Sequence, residues 1–77
     1  MFELLSDKGV AKRAESVGTA TRYEVTPPLH GYAVIELQES HGTVFVRSVE
    51  ARPVYLHAPI RGATLAEALC KLGYVLD

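Results

Sequence analysis

The stretch Gly31–Glu50, GYAVIELQESHGTVFVRSVE, decides the fold. Two runs rich in β-branched and aromatic residues flank a turn-forming tetrad, the pattern of an antiparallel hairpin. Alternation over Gly31–Gln38 places Ala33, Ile35 and Leu37 on one face; over Thr43–Glu50 it places Val44, Val46 and Ser48 on one face. Glu39-Ser40-His41-Gly42 reads as the connection, with the glycine supplying a positive φ. Pairing Gln38 with Thr43 sets Leu37 opposite Val44 and Ile35 opposite Val46. A slip of one residue would oppose apolar and polar side chains.

The opposite face then carries Tyr32, Val34 and Glu36 beside Phe45, Arg47 and Val49. Both faces are substantially apolar, whereas a sheet with one wet face alternates more cleanly. Part of this second face therefore needs a cover, either an N-terminal helix or another chain. Glu24 and Glu36, near Arg22 and Arg47, read as cross-strand partners rather than as a catalytic carboxylate pair.

On the C-terminal side, Val54–Ala58 reads as a further strand bracketed by Pro53 and Pro59, which confines it to a sheet edge. Tyr55 would share the second face with Tyr32 and Phe45. Thr64-Leu65-Ala66-Glu67 matches a capping box and opens a helix over 65–72, with an apolar stripe of Leu65, Ala68, Leu69 and Leu72 and a terminating Gly73. Tyr74, Val75 and Leu76 either dock on the core or extend a strand. On the N-terminal side, Val10, Ala14 and Val17 recur at helical spacing between a Ser6 or Asp7 cap and Gly18, which predicts a helix over Ser6–Val17. Thr21–Thr26 alternates as a strand that Pro27-Pro28 would end, leaving Leu29 and His30 in the connection. The expected fold is α+β: an N-terminal helix, a three- to four-stranded, mainly antiparallel sheet centred on the hairpin 31–50, and a C-terminal helix, all in one domain over residues 1–77.

Composition narrows the function classes. Eight Lys and Arg against nine Asp and Glu give a net charge of −1. Electrostatic nucleic-acid binders carry a basic stripe that neutralises several phosphates, and none is evident here. The alternative of a small transcriptional regulator or nucleic-acid-binding module would rest on Lys8, Lys12, Arg13 and Arg22. Cys70 is the single cysteine, which excludes an intramolecular disulfide and points to a reducing, cytoplasmic setting. Its expected role is that of a buried or half-buried apolar residue. The N-terminal residues lack a secretory pattern, and no apolar run approaches the ~20 residues of a membrane span, so no membrane association is expected.

Chemistry-bearing residues do not assemble into a motif. His30, His41 and His57 follow no zinc-ligand spacing. Glu39, Ser40 and His41 supply the residue types of a nucleophilic triad, but consecutive turn residues do not readily form its hydrogen-bond chain. The glycines fall singly, without a phosphate-binding loop. No enzyme activity, cofactor or metal is expected.

Tyr23-Glu-Val-Thr-Pro-Pro-Leu-His-Gly31 resembles a Tyr-x-Val-Thr-Pro-Pro-Leu-x-Gly segment in small uncharacterised proteins of actinobacterial bacteriophages, of the mycobacteriophage type. The resemblance covers these nine residues. It implies a phage accessory protein acting in the infected cell by binding host proteins, and it transfers no site residues. Together with the two-sided hairpin it directs attention to Tyr32, Val34, Phe45, Arg47, Val49 and Tyr55 as a protein interface for a host bacterial protein or for a second copy in a homodimer. Tyr, Phe and Arg are the residue types enriched at interface centres.

Overall fold

Three two-residue turns set the architecture. In the computed structural model, which describes residues 9–77, Gly18 (φ 61°) opens the first, His30-Gly31 (φ 50° and 87°) forms the second and His41-Gly42 (φ 52° and 78°) the third. Positive φ at both central residues is the type I′ pattern, whose twist matches that of the flanking strands. Histidine is among the few non-glycine residues enriched there. These turns link β1 (Gly9–Val17), β2 (Ala20–Leu29), β3 (Tyr32–Ser40) and β4 (Thr43–Ser48) into an antiparallel meander.

The chain then returns along β4. Leu56 N–H donates to Val46 O and Ser48 N–H to Val54 O, both at 2.9 Å, before the short strand β5 (Ile60–Arg61) pairs with Thr43 and Val44. Helix α1 (Leu65–Lys71) follows, and β6 (Tyr74–Leu76) runs parallel to β1. The sheet order is β5-β4-β3-β2-β1-β6, so the segment containing α1 carries the chain from one edge of a curled sheet to the other. Ala68 and Leu69 of α1 are buried in one cluster with Tyr23, Val25, Ile35, Leu37, Val44, Val46, Leu56 and Tyr74. The helix therefore fills the inner face of the sheet and leaves the outer face to solvent among the described residues.

The α+β expectation is overturned: 58% of the described residues are strand and 10% helix, in a six-stranded curled sheet. Residues 9–17 of the expected N-terminal helix form β1 instead, while its Ser6 or Asp7 cap lies outside the described residues. Their thin apolar stripe has little to bury as a helix. As a strand they gain ladders on both sides, to β2 and β6, and tertiary pairing overrides local propensity. Gly9 is required there, because an added Cβ would stand 2.4 Å from Thr26 O and 2.8 Å from Pro27 Cδ. Pro27-Pro28 does not end β2, which continues to Leu29 through a register irregularity after Glu24. Val54–Ala58 lies at the edge but pairs only as an isolated bridge, Arg47 with Tyr55.

The hairpin register differs from expectation by two residues. Ser40 pairs with Thr43, Leu37 with Val46 and Ile35 with Ser48, because His41-Gly42 alone makes the turn and Glu39 and Ser40 join the strand. A shift of two preserves the faces. Ile35, Leu37, Val44 and Val46 are all fully buried on the inner side. The capping box forms as read: Glu67 N–H donates to Thr64 Oγ1 at 3.1 Å, and Thr64 N–H to Glu67 Oε1 at 2.8 Å. Cys70, expected at least half-buried, is exposed on α1.

Candidate functional site

The outer face is built of rows that cross the strands. Strand pairing aligns Glu15 with Arg22, Arg22 with Glu36, Glu36 with Arg47, and Arg47 with Tyr55. The four charges alternate in sign and pair along the row: Arg22 Nη1 lies 3.2 Å from Glu15 Oε2, Arg22 Nε 3.3 Å from Glu36 Oε1, and Arg47 Nη2 2.5 Å from Glu36 Oε2. Exposed ion pairs contribute little, roughly 0–1 kcal/mol. This row is graded, since the Glu36 side chain is 12% exposed and that of Arg47 25%, against 56% for Glu15. Glu36 accepts from both arginines, the charge-assisted geometry in which such bonds are strongest. Arg47 Nε is buried and finds no hydrogen-bond partner among the described residues.

Beside Arg47, the Phe45 and Tyr55 rings sit 6.3 Å apart, tilted by 55°, within the range of favourable aromatic pairs. Tyr55 is 64% exposed, the most exposed of the large apolar side chains among the described residues. The two rings open onto a shallow, mainly apolar depression shared with Leu56, His57, Ala58 and Pro59. A neighbouring row on the same face runs Val17, Ala20, Gln38, Phe45, and it begins with an exposed valine.

Of the six residues singled out from sequence, Phe45, Arg47 and Tyr55 stand together. Val34 lies two residues from Glu36 on β3 and is half-buried. Val49 is half-buried just past the end of β4. Tyr32 is drawn away, packing against the core cluster with Leu29, Leu65 and Leu72. The helix expected over Ser6–Val17 gives no sign of Glu15 and Val17 on this face, since they reach it only as residues of β1. Two-residue turns at 18–19 and 41–42 were the available signal, since they fix Glu15 opposite Arg22 and Glu36 opposite Arg47.

The other chemical groups stay apart. Glu39 and Ser40 are successive strand residues and project to opposite faces, so with His41 they form no triad, although Ser40 Oγ and His41 Nδ1 share a hydrogen bond at 3.1 Å. His57 Nδ1–H donates to Ala58 O at 2.7 Å. Among the described residues no group of three or more His, Cys, Asp or Glu is placed to hold a metal ion, and no helix is long and apolar enough to cross a membrane. Of the basic residues read as a possible nucleic-acid contact, Arg22 is engaged by Glu15 and Glu36, and Lys8 lies outside the described residues.

The segment Tyr23–Gly31 is occupied by folding roles. Tyr23 and Val25 are core residues, Tyr74 Oη–H donates to Pro27 O at 2.5 Å, and His30-Gly31 is a turn. Comparison with protein-family models, curated proteins and solved structures finds no match to this chain.

Proposed function

We propose that this chain is a non-enzymatic interaction protein that binds another protein through its outer sheet face, centred on Phe45, Arg47 and Tyr55. The observation that carries this reading is the placement of an exposed tyrosine against Phe45 and Arg47 on the face that α1 leaves uncovered. Interface centres favour this combination of an aromatic pair, a partly desolvated arginine and a shallow apolar depression. The resemblance of Tyr23–Gly31 to phage segments supports a phage accessory role, with a host bacterial protein or a second copy as partner in the cytoplasm of the infected cell.

Tyr55→Glu tests the reading. Because Tyr55 is exposed and packs mainly on Phe45, its substitution is expected to cost about 0.5–1.5 kcal/mol, the worth of the aromatic pair, and to leave the fold intact. Self-association in light scattering, or capture of a host protein that the wild-type chain retains, is expected to fall at least about tenfold. Undiminished association and undiminished capture by a folded Tyr55→Glu chain would refute the reading.

A further inference from the structure

We propose that the occupant of the outer face is a second copy of this chain, with the Glu15–Arg22–Glu36–Arg47 ladder pairing against its own reverse. The proposal rests on the reading above that this face is the binding surface. A row of four charges alternating in sign is complementary to itself when turned end for end. A two-fold axis lying between the two faces, parallel to the strands and centred on the row, sets Glu15 against Arg47 of the second copy and Arg22 against its Glu36. Each contact then occurs twice, as an isologous interface requires. An axis along the row would instead set every charge against its own kind, so the charges select one orientation.

The adjacent row obeys the same operation. Val17 and Phe45 stand at its two ends, so the exposed valine of one copy meets the half-buried phenylalanine of the other. The ladder spans three strand spacings, about 14 Å, the width of a small four-stranded patch. An axis parallel to the strands keeps the two sheets nearly aligned, the usual arrangement for sheets packed face to face. The net charge of −1 leaves little long-range repulsion between copies.

Sedimentation analysis of the full chain tests the proposal. The wild-type chain is expected to form a dimer that weakens about tenfold as salt rises from ~50 to ~500 mM, because the contacts that select its orientation are ionic. Val17→Glu, an exposed position outside the ladder, is expected to weaken it by about tenfold or more. The decisive variant inverts the whole ladder, Glu15→Arg/Arg22→Glu/Glu36→Arg/Arg47→Glu. Its internal pairs are preserved, so it should dimerise with itself yet fail to exchange subunits with the wild-type chain, where every contact between copies would join like charges. If the inverted chain does not fold, Glu15→Arg alone, at the most exposed member of the row, should weaken the dimer. A wild-type chain that is monomeric throughout, free exchange between the two ladders, or a dimer indifferent to Glu15→Arg would overturn the proposal. A monomer that still loses host-protein capture on Tyr55→Glu would leave the binding face in place with a different occupant; loss of neither would remove both readings.

Discussion

Tyr74 shows how much one side chain can hold. Its ring is buried beside Gly9 in the core, and its hydroxyl reaches 47 residues back to donate to Pro27 O. Burial pushes the Tyr74 phenol above its ordinary 10.0, and burial does the same to Tyr23, partly opposed by the nearby Arg13 charge. Both shifts disfavour the phenolate in the folded chain. Below the unfolded value of 10.0 both states are protonated and the stability is fully present; above it the unfolded phenols ionise first, and stability is lost as pH rises through the folded pKa. Tyr74→Phe is expected to cost about 0.5–1.5 kcal/mol at neutral pH, the net worth of one hydrogen bond, and to make the alkaline decline shallower. Urea unfolding at pH 7 and above pH 10 would reveal both effects; an unchanged alkaline slope would count against the assignment. Residue-scale detail of this kind was only partly legible. Tyr74 could be read as docking or strand, but nothing in its neighbourhood names Pro27. Cys70 is exposed against expectation, because the pattern over 65–72 specifies which positions form a stripe and not how far around the helix the core reaches. His30 and His41, weighed as metal ligands, serve as turn residues because each precedes a glycine.

At the scale of elements, legibility follows how local the determining physics is. The capping box and Gly73 lie within the residues they organise, and α1 appears where they place it. Thr64→Ala removes the hydroxyl that accepts from Glu67 N–H, and is expected to cost about 1 kcal/mol in equilibrium unfolding. A cost near zero would mean that α1 is held by packing alone. The hairpin was legible in its faces and not in its register, because alternation has a period of two and cannot see a shift of two. The turn chemistry that resolves it, His-Gly with both φ positive, is weaker in propensity than Asn-Gly and hid inside the tetrad Glu39–Gly42. Gly9–Val17 was the least legible element. Its Lys-Arg-Ala-Glu run favours a helix locally, while the partners that make it a strand lie at 20–26 and 74–76. Reading it as a helix also obscured the charged row, since Glu15 meets Arg22 only across a strand pair.

For the whole molecule, the same long-range pairings that hid the topology decide how it comes apart. A meander alone would leave both edges of the sheet to fray independently, but here β5 and β6 belong to one continuous segment that crosses the inner face as α1. Leu69 is fully buried at that crossing, in the cluster that also holds Ala11 from β1 and Val44 from β4. Truncating it removes methyl groups from the layer that both halves of the sheet pack against. Leu69→Ala is therefore expected to cost about 2–5 kcal/mol. That is a large share of the ~4–12 kcal/mol available to a chain of this size. The loss should be cooperative, so that amide exchange in Val10–Arg13 of β1 and in Val44–Arg47 of β4 accelerates by similar factors. Acceleration confined to α1 and β6, with β4 still protected, would show instead that the crossing helix is an appendage and that the meander is stable without it.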